Sequence, residues 1–166
     1  MSSVLHPVDA AERAETPSPP VARMIIAVLA LAGILLAAYM MLYKVGVLAT
    51  LACGTGGCDT VQNSPYAEFL GIPVPLLGIV GYGAIFALAM AGIQPRFVED
   101  RRIAGALLLT CGAAAVFTLY LNYLEAFVIR AWCRWCIGSA VIVTALFLLS
   151  LTEIPRLRSR TPEGAS

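Results

Sequence analysis

Residues Met24–Tyr43 read M-I-I-A-V-L-A-L-A-G-I-L-L-A-A-Y-M-M-L-Y, twenty positions without a charge. A helix rises about 1.5 Å per residue, so roughly 20 apolar residues cross the roughly 30 Å of hydrocarbon in a bilayer. The run is longer than the apolar region of a cleavable leader, and Asp9, Glu12 and Glu15 precede it. Leaders have short apolar regions and basic starts, so this stretch reads as a membrane span.

Three more stretches qualify. Pro75–Ile93 is uncharged and rich in Gly and Ala. Ile103–Ile129 is apolar until Asn122 and Glu125 near its end. Trp135–Leu151 is uncharged and reaches full length when Cys133 and Arg134 extend it. The chain is 60% hydrophobic and 13% charged, with mean hydropathy +0.85. Soluble domains run near 45–50% and about 25%, so a soluble globule is excluded. A net charge of +1 gives no reason to expect nucleic acid. The expected fold is an all-α integral membrane protein, a four-transmembrane-helix bundle with a short helix in the first outer loop. Its membrane domain covers 23–152, with spans about 24–43, 75–93, 103–129 and 133–152. A proline-rich disordered tail, 1–22, precedes it and holds His6 as a solvated residue. A basic tail, 153–166, follows.

Orientation comes from Lys and Arg, which favour the cytoplasmic face. With four spans, the tails and the 94–102 loop share a side holding Arg13, Arg23, Arg96, Arg101, Arg102, Arg156, Arg158 and Arg160. The other side holds Lys44, Arg130 and Arg134. Both termini are therefore expected in the cytoplasm, with the 44–74 loop and the 130–134 turn outside. For a bacterial chain, which its Arg and Ala richness hints at, this means the inner membrane with the periplasm beyond it. The four paired cysteines then lie in the compartment where disulfides persist.

Those pairs are Cys53/Cys58 and Cys133/Cys136. Cys133-Arg134-Trp135-Cys136 is a C-x-x-C at the outer entrance to the fourth span. At a helix start, free backbone N–H groups and the helix dipole favour a thiolate on the first cysteine. The thiolate is the attacking species in disulfide exchange. Cys53-Gly-Thr-Gly-Gly-Cys58 lies in the outer loop, and its glycines leave the backbone free to open and close. Two vicinal pairs on one face suggest a relay from a substrate protein, through both pairs, to an acceptor in the lipid. Cys136, the deeper cysteine, is its natural end.

Other readings stand beside this one. The pairs can be structural disulfides in a non-catalytic membrane subunit, or bind zinc, although no histidine is near. Cys111, mid-span among Ala and Leu, reads as a small core hydrophobe. Asp59, Asn63 and Ser64 suit the start of a short helix, with Pro65 at a first helical position. The apolar run after Ala67 continues that helix until Ile72-Pro73-Val74-Pro75 breaks it. Asn122, Tyr123 and Glu125 are polar groups at the outer end of the third span, where such groups are often functional. Glu125 has an equal alternative as a surface partner of Arg130.

The segment C-G-T-G-G-C-D-T-V-Q-N-S-P-Y-A-E-F-L-G-I-P-V-P-L-L-G-I-V-G-Y, Cys53–Tyr82, resembles the vitamin K epoxide reductase family in its bacterial form. So does Y-L-N-Y-L-E-A-F-V-I-R-A-W-C-R-W-C, Tyr120–Cys136. The resemblance runs from about Met24 to Leu151. It implies a four-helix bundle around a quinone. Cys53 and Cys58 would be the loop pair, Cys133 and Cys136 the active-site pair, and Ser64 the family serine. It implies a quinone-dependent thiol-disulfide oxidoreductase that supports disulfide formation in exported proteins. Its electron donor would be a periplasmic thioredoxin-like disulfide oxidase. Many members carry that domain fused at the C-terminus; this sequence ends in a basic tail, so a separate partner is expected. Cys136, Ser64, Asn122 and Tyr123 are the expected quinone contacts. The vertebrate enzyme has an asparagine and a tyrosine where Val74 and Ala140 stand here, so ubiquinone or menaquinone is expected rather than vitamin K epoxide. Another four-span bacterial quinone-linked oxidase family places its C-x-x-C in the first outer loop, the reverse of the order here.

Overall fold

A computed structural model describes residues 21–53 and 57–158. The reading of the first twenty residues as a disordered tail, like the freedom ascribed to Gly54 and Gly56, lies outside the described residues. Helix α1 is Val21–Lys44, and the short α2 is Gly57–Gln62. A 3-10 turn, Pro65–Ala67, leads into strands β1, Glu68–Phe69, and β2, Ile72–Pro73. Helix α3 is Val74–Ile93. Helix α4, Arg101–Tyr123, continues as a π-helical turn, Leu124–Ile129. Helix α5 is Arg134–Ser150, followed by a 3-10 turn, Leu151–Glu153, and the short α6, Ile154–Arg158.

Four helical segments are long and apolar enough to cross a membrane: Val21–Lys44, Val74–Ile93, Arg101–Ile129 and Arg134–Glu153. The chain is a multi-pass, all-α membrane bundle. Its distribution of side chains fits lipid as the solvent. Val28, Leu35, Val80, Leu109, Val116 and Val141 all point outward with more than half their surface exposed. Many of the buried positions are small.

Helix α1 turns Ile26, Ala30, Gly33, Ala37 and Met40 inward, a spacing of three to four residues that marks one helical face. Against it, α3 presents Gly78, Tyr82, Ile85 and Ala89. A Cβ built on Gly78 would sit 3.3 Å from the Ala37 Cβ, and one on Gly33 would overlap the Tyr82 ring. Hydrocarbon gives little drive for apolar helices to associate, so close van der Waals approach through small residues holds such contacts. Leu107 and Cys111 of α4 and Val143 and Leu146 of α5 complete the core. Cys111 is fully buried there, as a small hydrophobe would be.

One end of the bundle is tied by charge. Arg23 near the start of α1 is fully buried and makes a paired ion contact with Glu153 at 2.6 and 3.1 Å. It also donates to the carbonyls of Gly92 and Val98. Arg23 thus serves as an internal tie rather than as a free surface charge. Residues 154–158 are likewise helical, so the irregular tail expected after residue 155 does not begin there.

The expected helix through Ala67–Ile72 is instead a two-residue antiparallel hairpin pairing Glu68 with Pro73 and Phe69 with Ile72. Its turn residues, Leu70 and Gly71, have φ of 55° and 80°. A left-handed pair of this kind reverses a short hairpin. Pro75 sits in the first turn of α3, where its missing N–H costs nothing.

Candidate active site

Three cysteines share one apolar cluster. Cys53, Cys58 and Cys133 are buried with Met40, Leu51 and Val61. Cys53 and Cys58 are joined as a disulfide, with Cα atoms 6.1 Å apart. Cys133 and Cys136 are thiols. The backbone brings the pairs together at Gly57, where a Cβ would collide with the carbonyl oxygen of Trp132. Only glycine allows α2 to lie this close to the residue preceding the C-x-x-C.

Cys133 is the N-cap of α5, with φ −97° and ψ 116°. Its sulfur accepts a hydrogen bond from the Cys136 N–H at 3.4 Å. The hydrogen bond from the Cys136 thiol holds the Cys133 thiol below its ordinary value. Backbone N–H groups of Cys136 and Trp135 add to this, while burial and the Glu125 charge oppose it. A thiolate at a helix start is the nucleophile expected of an exchanging dithiol. The Trp135 ring packs on Tyr39 at 4.9 Å and closes this cluster from the side of α1.

Cys136 faces the other way, onto a cavity of about 320 Å³ between α1, α3, α4 and α5. The walls are mostly apolar: Leu36, Ala37, Met40, Val74, Leu77, Ile85 and Phe117 among others. The polar side chains on it are Gln62, Ser64, Tyr66, Tyr82, Thr110, Thr118, Asn122, Glu125 and Ser139. A largely apolar cleft with a few convergent polar groups is the usual form of a small-molecule site.

Of the residues expected to bind, Cys136, Ser64 and Asn122 line this cavity and Tyr123 does not. Tyr123 is 57% exposed and stacks on Phe127 at 5.0 Å, on the outside of α4. Leu121 and Asn122 both line the cavity, and Tyr123, a further roughly 100° round the helix, turns out of it. Asn122 donates to the Thr118 carbonyl at 2.9 Å. Ser64 occupies the N-cap position of the 3-10 turn but does not cap it. Its hydroxyl donates back to the Val61 carbonyl at 2.7 Å.

Glu125 is buried, 3% exposed, and turned toward the cysteines rather than toward Arg130. Its Oε2 accepts from the Cys133 N–H at 3.3 Å. Its carboxylate is also within hydrogen-bonding reach of the Cys136 side chain. The π-helical turn makes this possible. It buries Leu124 and Glu125 side by side before Arg130, at φ 56°, ends the segment.

The sequence reading missed two groups. Tyr82 hydrogen-bonds Ser139 at 2.7 Å across the cavity wall. Gln62 is buried, and its side-chain oxygen has no hydrogen-bond partner. Lys44 reaches from the end of α1 to the Gln62 carbonyl at 3.2 Å and to Glu68 at 3.4 Å, tying the loop to the bundle. For Tyr82 a sequence signal existed, in its spacing from the glycines of the second span. Its partner, 57 residues away, gave none.

A model of the vitamin K epoxide reductase family matches residues 24–151. A thiol-disulfide oxidoreductase of Arabidopsis thaliana, LTO1, is 32% identical over 122 residues. Those residues are 70% of this chain and 32% of that protein, so the chain spans about a third of its relative's length. Four membrane helices thus carry a helix-capping dithiol beside a second, bridged pair. The match of residues 24–151 makes the assignment specific: the chain belongs to the vitamin K epoxide reductase family.

Proposed function

We propose that this chain moves electrons from a reduced thioredoxin-like protein, through Cys53/Cys58 and then Cys133/Cys136, to a membrane quinone, ubiquinone or menaquinone. In this way it supports disulfide formation in exported proteins. The observation that carries the reading is the two-sided setting of the C-x-x-C. Cys133 lies in one buried cluster with the bridged loop pair, while Cys136 opens onto the apolar cavity.

The thiol steps follow from that setting. A partner thiolate attacks the Cys53–Cys58 disulfide, and a freed loop thiolate attacks the oxidised C-x-x-C. Both loop sulfurs are buried, so the first attack needs the loop to open. Closure of the loop then brings a thiolate to Cys133 without water between them. The cavity residues fit a quinone ring: mostly apolar walls, hydroxyls of Ser64 and Tyr82 that would turn from Val61 and Ser139 to its oxygens, and Cys136 at the edge. A bound quinone would supply the two-electron sink. The chain's own residues bind it, orient it and exclude water. Transfer is downhill when the quinone couple is the more positive, by about 1.4 kcal/mol per 30 mV.

Eight basic residues on one side and three on the other support a reading in which the cysteine pairs lie on the periplasmic face of the cytoplasmic membrane, with both termini inside. The test uses the full chain in detergent with a reduced thioredoxin-like disulfide oxidase and a ubiquinone or menaquinone analogue. The expected result is quinone reduction that stops in Cys136→Ala. No quinone reduction by the unaltered protein, or undiminished turnover in Cys136→Ala, overturns the reading.

A further inference from the structure

Glu125 is a carboxyl group inside a membrane bundle, 3% exposed, with no ion pair to Lys or Arg among the described residues. Burying such a group is costly unless it is used or neutralised. It sits on a π-helical turn, a costly distortion frequent at functional sites. It touches both ends of the active dithiol, through the Cys133 N–H and the Cys136 side chain, and it also lines the cavity. Among the described residues, no other acidic side chain lines that cavity.

Oxidising the dithiol removes two electrons and two protons as the Cys133–Cys136 bond forms. Reducing a quinone to its quinol consumes two electrons and two protons. Once Cys133 has released its proton, the proton on Cys136 must also leave as its sulfur forms the bond. In a cavity walled mostly by apolar side chains, that proton needs an acceptor at the sulfur. The geometry points to Glu125 as the proton-transfer residue of this site: its carboxylate takes the Cys136 proton as the disulfide closes and releases it on the cavity side. The second proton re-enters from the outer face. Glu125 ends each cycle in the state in which it began, so charge and protons balance.

This rests on the quinone reading above, and the experiment separates the two. Infrared difference spectra are recorded on the quinone-free full chain as the dithiol is oxidised with glutathione disulfide and re-reduced. A carboxyl band that appears on oxidation and is absent in Glu125→Gln is expected. In parallel, quinone-analogue reduction by Glu125→Gln should fall about a hundredfold, the scale of general acid–base catalysis. Reduction of the Cys53–Cys58 disulfide by the partner, which moves no proton on Cys133 or Cys136, should stay at the wild-type rate. Glu125→Asp, which keeps the carboxyl, should restore part of the quinone step and keep the band. If the unaltered protein reduces quinone and Glu125→Gln does so equally fast, the inference fails while the quinone reading stands. An equal fall in reduction of the Cys53–Cys58 disulfide would mark Glu125 as a merely structural support and also overturn it. If the unaltered protein reduces no quinone, the quinone reading fails, and the infrared band alone decides whether Glu125 accepts the thiol proton.

Discussion

Gly57→Ala is the sharpest perturbation this structure offers. The added methyl would meet the Trp132 carbonyl oxygen, with the Trp132 carbonyl carbon and nitrogen at 3.3 and 3.4 Å. All three are backbone atoms immediately before Cys133, so no side chain can rotate away to make room. Overpacking of this kind costs about 1–3 kcal/mol. Alanine's better helix propensity acts on α2 whether or not it is docked, so it largely cancels. A cost of about 2 kcal/mol in the docked loop reduces its population about thirtyfold. Exchange between the pairs requires the docked loop; attack by a partner on Cys53–Cys58 requires the open one. Stopped mixing with a reduced thioredoxin-like protein, acid quenching and alkylation would follow each pair separately by mass. The loop pair should be reduced at least as fast as in the unaltered chain, and the C-x-x-C about thirtyfold more slowly. Thr60→Ala, on the exposed face of the same helix, should change neither. If Gly57→Ala reduces its C-x-x-C at the unaltered rate, close docking of α2 against Trp132 is not the route of exchange.

Arg23→Ala removes the guanidinium from a buried pair whose side chains are 0% and 2% exposed. Breaking such a pair costs about 3–5 kcal/mol, so thermal unfolding in detergent should shift well downward while turnover per folded molecule is kept. Gly33→Ala forces the Tyr82 ring off its place and away from Ser139. A loss of about 1–3 kcal/mol in stability and a raised KM for the quinone analogue are expected, where Tyr82→Phe should lose only about 1 kcal/mol. The Cys133 thiol lies below the ordinary thiol value, so its thiolate persists as pH falls through that value. Ultraviolet thiolate absorbance should therefore develop at lower pH in the reduced chain than in Cys133→Ala. Replacing Cys136 by Ala removes the first cause of the lowering and should move the remaining titration upward.

The spans were legible because lipid imposes a length and a composition that few other structures share. The position of Cys133 at a helix start was legible for a related reason: Cys133 follows a charged turn and precedes an uncharged run. What stayed hidden depended on contacts between distant segments. Leu70-Gly71 carries no strong turn signature, so the hairpin read as a continuing helix. The π-helical turn extends the end of α4 and turns Glu125 to the Cys133 N–H, eight residues on, a partner the sequence alone does not show. Asn122 and Tyr123 were grouped because they are adjacent and polar, yet a helix separates adjacent residues by direction. Arg23 read as one more charge in the orientation count because Glu153 lies 130 residues later.

That separation bears on how the molecule is made. Arg23 enters the membrane region with the first of the four spans, and Glu153 arrives with the fourth. The contact between them cannot form until every other span has been threaded. A nascent chain therefore carries its first span with a cation still lacking its eventual counter-charge. Completion of the fourth helix supplies that counter-charge and closes the ring of helices. The ion pair thus separates finished molecules from unfinished ones, and a chain truncated before Glu153 would present Arg23 to whatever quality control patrols the bilayer.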